Sequence, residues 1–343
     1  MINIDGLYIE ITDKCNLHCD YCCRNCESSN NHFLDLAVIE KLLSSSANCG
    51  ASTVAISGGE PLLHPQIYEI VNLAKKYDYK CTLLTNGVLL SMVDYSLIKT
   101  FDGIQISIDG GNALTNDRTR GHGSFNRTIT GIDSILSRGY DAKKIAFKMT
   151  ITAQNYLEIK QLGELAYHYG VTNIGFSFIF NEGRAKETSN SFLDDKQKKY
   201  VLEELGKLYI EYPHMKISPP GYTEECPLIK DENISLSPRV DVYGNVYPCQ
   251  MFEGIFSIGN INEQNIMDII NGDKFFSLKQ MINARRYYMI ECSNCFMSQK
   301  CKRGCPGIAA HSGCILETDG MCYLRKSKRM EYMKSKLKGS HIS

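Results

Sequence analysis

The sequence predicts an α/β protein whose sheet is parallel. Two observations carry that class. β-rich runs and helical spacings alternate six times in series, and the runs are apolar enough to be covered on both faces. A third observation bounds it: the alternation stops near residue 212, where short strands, turns and cysteines take over. Six βα units can build an incomplete barrel or an open doubly wound sheet, and periodicity alone does not choose.

The first strand is read over 6–12 (GLYIEIT), followed by a helix over 34–46 that Asp35 is placed to cap. STVAIS (52–57) is the second strand and ends in Gly58-Gly59. The next helix spans 65–76 with Pro65 in its first turn. Strands at 79–85, 103–108, 144–151 and 173–180 then alternate with helices at 91–99, 124–138, 156–169 and 194–211, the last long and amphipathic. Tyr212-Pro213 and Ser218-Pro219-Pro220-Gly221 read as a linker or surface loop. VDVYGNVYP reads as a hairpin turning at Gly244-Asn245, and a basic helix closes the chain near 322–337. Two domains are expected, over 1–215 and 216–343, as a chain of 343 residues suggests.

Composition narrows the function. Apolar residues make up 43% and charged residues 22%, which excludes a disordered or collagen-like chain. Lys+Arg and Asp+Glu both count 38, so the basic excess of a phosphate-neutralising nucleic-acid binder is absent. No run approaches a membrane span and no signal peptide is visible, so a cytoplasmic protein without nucleic-acid or membrane partners is expected. The basic tail is read as a solvated helix face. Against this ordinary background stand 15 cysteines. Without export they do not suggest a disulfide framework, which leaves metal ligation and redox chemistry.

The cysteines gather at the two ends. Cys15-x3-Cys19-x2-Cys22 follows the first strand, at the end of the sheet where parallel βα architectures build their sites. Three thiolates on one short loop can hold three irons of a [4Fe–4S] cluster and leave the fourth open to a small molecule. A zinc knuckle is the alternative for this segment taken alone. Cys23 and Cys26 form an overlapping CxxC, read as alternative ligands, a redox pair, or simply further thiols. Cys81, inside the third strand, is read as a small buried apolar residue. The eight histidines show no metal spacing.

CNLHCDYC resembles the CxxxCxΦC signature of the radical SAM enzymes, with Tyr21 the aromatic residue, placed to cover one face of a cluster. Gly58-Gly59-Glu60-Pro61 resembles that family's next motif, which receives the amino group of S-adenosylmethionine: glycines let the backbone approach, and Glu60 can accept from an ammonium. Strand three ends in Thr85-Asn86-Gly87 and strand four in QISIDG, with Ser107 and Asp109. The resemblance implies that Ser107 and Arg120 hold the methionine carboxylate, with Arg118 a near competitor, and that Asn86 and Asp109 belong to the same site. Gly183-Arg184-Ala185 also looks like family members. The fold so implied is a partial (β/α)6 TIM-like barrel followed by a small cysteine-rich α+β domain.

Cys292-x2-Cys295-x5-Cys301-x3-Cys305, with Cys226 and Gly244-x4-Cys249 upstream and Cys314 and Cys322 downstream, resembles the SPASM extension of that family. By analogy Cys292, Cys295, Cys301 and Cys322 hold one auxiliary cluster. Cys226, Cys249 and Cys305 hold another, with an open iron or a fourth ligand such as Cys314. The gap from Cys226 to Gly244 is slightly longer than the usual form. From this block alone, two structural zinc sites compete with iron–sulfur.

The resemblance spans about residues 5–325 and implies three [4Fe–4S] clusters, one binding S-adenosylmethionine and two auxiliary. It implies reductive cleavage to a 5′-deoxyadenosyl radical, hydrogen abstraction from a substrate, and a flavodoxin- or ferredoxin-type electron donor. Relatives of this type most often modify peptides, so a peptide or protein maturase is the first expectation. A small-molecule sugar or alcohol dehydrogenase or epimerase is the second; a non-enzymatic cluster or zinc protein is a third. The motif begins at Cys15, so no leader-binding domain is expected before it. Either a separate peptide-recognition protein presents the peptide or the SPASM surface binds it. No residue stands out as a catalytic base.

Overall fold

The computed structural model describes residues 2–188, 191–220, 226–229, 232–289, 292, 304–311 and 313–317. Its centre is a ten-stranded sheet. Six consecutive parallel strands form the body: β2 (Gly6–Glu10), β3 (Thr53–Ser57), β4 (Lys80–Thr85), β5 (Gly103–Ser107), β6 (Ile145–Ile151) and β7 (Asn173–Phe178). These are the six expected strands in the expected order. β8 (Lys216–Ser218) adds parallel to β7 at one edge. At the other edge β10 (Arg239–Val240) pairs parallel with β2, and β11 (Asn245–Tyr247) and β12 (Gly259–Asn260) follow antiparallel. The edges do not meet, so the barrel is partial. β1 (Ile2–Ile4) makes a separate parallel pair with β9 (Ile234–Leu236). The hydrogen-bonded sheet therefore runs across residue 215.

The strands are more two-faced than their apolar content suggests. Along β6, Ile145, Phe147, Met149 and Ile151 are fully buried against the helices, while Ala146, Lys148 and Thr150 face inward. The inward face of the neighbours carries Tyr8 and Glu10, Ser57, Gln105 and Ser107, and Ser177. The lumen thus mixes these polar groups with apolar ones such as Leu84, as a substrate chamber requires and a packed barrel core does not. Cys81 points to the helix side, is fully exposed to none of the solvent, and behaves as the expected small apolar residue.

Helices cover the outer face through apolar stripes. In α2 (Ile67–Lys76) the buried residues Ile67, Ile70, Val71 and Ala74 repeat at helical spacing, each large aliphatic contributing about 1.5–3 kcal/mol of burial. Asp35 caps α1 (Leu36–Ala47) as expected, accepting from the Ala37 amide. α7 (Asp195–Glu211) opens with an Asp194/Gln197 capping box. α5 (Ser124–Ser137) and α6 (Ile159–His168) complete the layer.

Three local expectations are corrected. The helix expected over 91–99 is the four-residue α3 (Tyr95–Ile98), started where Asp94 caps it. Pro65 precedes α2 rather than entering its first turn. The hairpin turns over 241–244, not at Gly244-Asn245. The Asp241 carboxylate accepts from the amides of Tyr243 and Asn245, Gly244 takes a positive φ of 82°, and Asn245 already begins β11. An unexpected helix, α4 (Ala113–Arg120), is capped by Asn112 and is too polar to show an apolar stripe. The last third adds α8 (Ile266–Ile270), α9 (Asp273–Tyr288) and α10 (Pro306–His311). The closing basic helix expected near 322–337 lies outside the described residues. No helix among the described residues is long and apolar enough to cross a membrane.

Candidate active site

The first cysteine segment leaves β2 and returns through a bridge between Lys14 and Glu27, with the Cys15 amide donating to the Glu27 carbonyl at 3.0 Å. The turn after β3 clasps its entry. Gly59 N donates to Thr12 O at 2.7 Å and Glu60 N to Lys14 O at 2.8 Å. A Cβ on Gly58 would stand 2.2 Å from Thr12 O, at a φ of +129°, and one on Gly59 would stand 2.2 Å from Lys14 O. Both glycines are therefore required by contact of two backbones.

A cavity of ≈ 250 Å³ opens at this end of the strands. Cys15, Cys19 and Cys22 line it, with Gly58 and Gly59. Asn86, Ser107 and Arg120 line it from the β4, β5 and α4 side. Cys23 and Cys26 reach the same wall. Among the described residues no three His, Cys, Asp or Glu groups are placed to hold a single metal ion; the front thiols stand around the cavity wall. Burial pushes Cys15 up to about 11 and Cys19 up to about 12. Cys22 is pulled down to about 5, first by the Cys26 thiol donating to it. Burial thus opposes two of the three thiolates despite Arg120 in the wall, and a bound cation would stabilise all of them.

Arg120 is the last residue of α4 and is 8% exposed. Its Nη1 donates to the Tyr21 hydroxyl at 2.6 Å and pairs with Asp109 at 3.2 Å. The Tyr21 hydroxyl donates to the same Asp109 carboxylate, whose other oxygen accepts from the Thr150 amide at 2.9 Å. Tyr21, from the cysteine loop, is thereby tied to the strand ends. Asp109 is fully buried and holds Arg120 from behind the cavity wall.

Glu60 and Pro61 also stand behind the wall. Glu60 accepts from the Thr85 hydroxyl at 2.8 and 2.9 Å, the Asn86 amide at 2.9 Å and the Leu62 amide at 3.2 Å. Burial pushes it up to about 7 despite these donors. It fastens the turn after β3 to the end of β4, where the sequence had suggested a direct contact with an ammonium. Asn86 turns its amide to Asn16 at 2.7 Å, back toward the cysteine loop.

Two supports were not legible in advance. Arg184 donates from Nε to Cys19 O and from Nη2 to Cys26 O, both at 2.9 Å, and its amide donates to Cys22 O at 3.0 Å. Gly183 permits this contact, since a Cβ there would lie 2.3 Å from Cys22 O. The Gly183-Arg184-Ala185 segment was the available signal. The second support is a buried ion quartet. Glu10 accepts from Arg24 Nε at 2.6 Å and from Arg239 Nη1 at 3.0 Å to each oxygen. Arg239 reaches Glu253 at 2.8 Å and lies 4.0 Å from the Tyr247 ring, and Arg24 also pairs with Glu253. Burial would raise Glu10, but the two arginines pull it below its ordinary value.

The rear cysteines are partly described. Cys226, Cys249 and Cys305 are brought together: burial pushes Cys249 up to about 12, and the neighbouring Cys305 and Cys226 thiols add to it. Arg285 on α9 secures this region by donating to Gly304 O at 3.1 Å and Glu317 O at 2.7 Å. Cys292 is described and partly buried. Cys295, Cys301 and Cys322 lie outside the described residues.

Residues 9–166 match a family model described as the Radical SAM superfamily, and 232–296 match SPASM, an iron-sulfur cluster-binding domain. The AdoMet-dependent heme synthase of Methanosarcina barkeri is 26% identical over 93% of this chain and 96% of its own length. The subtilosin biosynthesis protein AlbA of Bacillus subtilis is 26% identical over 90% of this chain and 66% of its own. Among solved structures, anSMEcpe with bound AdoMet and a Cp18Cys peptide superposes with a TM-score of 0.74 at 18% identity, covering 98% of both chains. That last likeness is one of fold.

Proposed function

We propose, for a chain that belongs to the radical SAM superfamily and carries an iron–sulfur-binding SPASM domain, that it is an enzyme modifying a peptide or protein by hydrogen abstraction. The observation that carries the reading is the convergence of Cys15, Cys19, Cys22, Gly58, Gly59, Ser107 and Arg120 on one cavity at the strand ends. Cys15, Cys19 and Cys22 would hold the [4Fe–4S] cluster, which supplies the electron that splits S-adenosylmethionine to its 5′-deoxyadenosyl radical. The backbone at Gly58 and Gly59 would receive the amino group. Ser107 and Arg120 would take the carboxylate, with Arg120 aimed by Asp109 and Tyr21. Glu60 and Asn86 would keep the two strand ends in register. The lumen below, which mixes polar groups such as Thr150 and Ser177 with apolar ones such as Leu84, would position the substrate and exclude bulk water.

Cys226, Cys249 and Cys305 would hold one auxiliary cluster, and Cys292, Cys295, Cys301 and Cys322 another, making three in all. A flavodoxin- or ferredoxin-type donor would supply electrons. The similarity to AlbA, named for bacteriocin biosynthesis, supports a peptide substrate. A second reading, a small-molecule substrate, is favoured by the nearly full-length match to a heme synthase.

The test is anaerobic. Reconstituted protein with dithionite and S-adenosylmethionine is expected to release 5′-deoxyadenosine, and the C15A/C19A/C22A variant to release none. Equal release from both would overturn the radical reading. Incubation with peptides encoded beside the gene separates the substrate readings, by a mass change in a peptide against none.

A further inference from the structure

Among the described residues one inward-facing charge, Lys148, stands below the residues that line the cavity and is not used by the reading above. Lys148 lies at the middle of β6 on the inward face. Its register partners are Ser107 on β5, a cavity residue, and Gly175 on β7. Two residues further along the same face is Thr150, paired with Ser177, and both line the cavity. The Lys148 side chain lies across Gly175: a Cβ built there would stand 3.0 Å from Cδ and 3.4 Å from Nζ. A larger residue at 175 would displace the ammonium.

The other charged groups around the lumen are committed. Glu10 is held by Arg24 and Arg239, Asp109 by Arg120, and Glu60 by its three donors. The Lys148 ammonium has no ion pair or hydrogen bond among the described residues, although its backbone carbonyl accepts from the Ile108 amide at 2.9 Å. Burial alone displaces it, down to about 8, with no acid partner opposing that shift. Lys148 is half-buried, and an ammonium partly withdrawn from water without a counter-charge is disfavoured. Its inward-facing neighbours, Ser107 and Gly175 across the ladder and Ala146 and Thr150 along β6, are all uncharged. One cation among uncharged neighbours matches a single negative charge.

We propose that Lys148 recognises a carboxylate of the substrate, in the lumen beneath the S-adenosylmethionine position. The proposal rests on the reading of this cavity as the place where substrate is held, and it names the substrate class as acidic. The carboxylate of S-adenosylmethionine is the other source of the same chemistry. Arg120 at the rim is the residue assigned to that group, and Lys148 lies one register row deeper than Thr150.

The test is competitive acylation of the reconstituted holoenzyme with acetic anhydride, read at Lys148 by peptide mass spectrometry, with Lys148→Met identifying the peptide. The probes are N-acetylglutamic acid α-amide, its neutral analogue N-acetylglutaminamide, and S-adenosylmethionine. With S-adenosylmethionine already bound, the acidic probe is expected to slow labelling about tenfold at roughly ten times its Kd, and the neutral probe to leave it unchanged. Full protection by S-adenosylmethionine alone would transfer the carboxylate to the cosubstrate and overturn the proposal. Equal effects of both probes, or no labelling in the free enzyme, would also overturn it. Because labelling needs no turnover, a chain that fails to cleave S-adenosylmethionine can still pass or fail this test.

Discussion

Arg184 Nε donates to the carbonyl of Cys19 at 2.9 Å, so a residue beyond β7 fixes the backbone of a loop beyond β2. A second bond from the same guanidinium reaches Cys26 O, and the two span the segment that carries Cys22. Hydrogen bonds from a charged donor contribute about 1.5–3 kcal/mol each. Arg184→Ala is expected to lower the melting temperature and to reduce iron retained at the front site. Arg184→Lys should restore only part of it, because an ammonium lacks the fork that serves two carbonyls. Calorimetry and iron content of the two variants check this.

Gly58 tolerates no side chain. The contact with Thr12 O and the positive φ act together, and either alone is unfavourable. Gly58→Ala is expected to cost at least about 1–3 kcal/mol and to lose S-adenosylmethionine binding along with stability. Equilibrium dialysis on whatever soluble fraction remains, beside a urea titration, measures both.

Glu60 gives a pH dependence with a definite sign. Burial raises it to about 7 from an ordinary 4.5. Between those values the folded chain keeps a proton that the unfolded chain has released. Stability is therefore fully present below about pH 4.5 and is lost as pH rises through about 7, by an amount on the order of 3 kcal/mol. Glu60→Gln removes this titration. The urea midpoint of the variant should fall below that of the natural chain at about pH 5, and the gap should narrow or reverse by about pH 8.

The ion quartet predicts a non-additive pair. Arg239 is 1% exposed and Glu10 5%, so Arg239→Met leaves Arg24 alone to face the two carboxylates of Glu10 and Glu253 and is expected to cost about 3–5 kcal/mol. Glu10→Gln combined with Arg239→Met should recover part of that loss. A double-mutant cycle by urea denaturation reads the coupling.

At the rear, Cys249→Ser is expected to remove about four irons per chain, since Cys226, Cys249 and Cys305 are gathered as one set. A matching loss of iron in Cys314→Ala would place Cys314 in the same ligand set, and an unchanged count would leave that set at three cysteines. Iron and sulfide analysis after reconstitution decides both.

The barrel strands were legible because each carries an outward apolar row: Ile104 and Ile106, or Ile174 and Phe176, mark their strands without help from the rest of the chain. What escaped was set by distant partners. α4 has no apolar stripe, since its buried residues are Asn116, Thr119 and Arg120, held by hydrogen bonds rather than by packing. The parallel pairing of β10 with β2 is invisible to any local pattern, because a two-residue strand carries almost no period. Glu60 was legible as part of a motif but not as a residue facing away from the cavity. Only the hydroxyl of Thr85 and the amide of Asn86, on another strand end, decide which way it turns.

β2 leaves the ribosome first among the barrel strands and is completed among the last. One flank takes β3 early, while the other waits for Arg239 and Val240. Until they emerge, the strand that launches the cysteine loop shows a bare backbone edge, and Glu10 at its tip lacks Arg239. A nascent chain paused before residue 239 would carry its helices and an unfinished flank, the form most open to pairing with another chain. The last third of the sequence thus completes the first, covering the edge of the strand whose loop carries Cys15, Cys19 and Cys22.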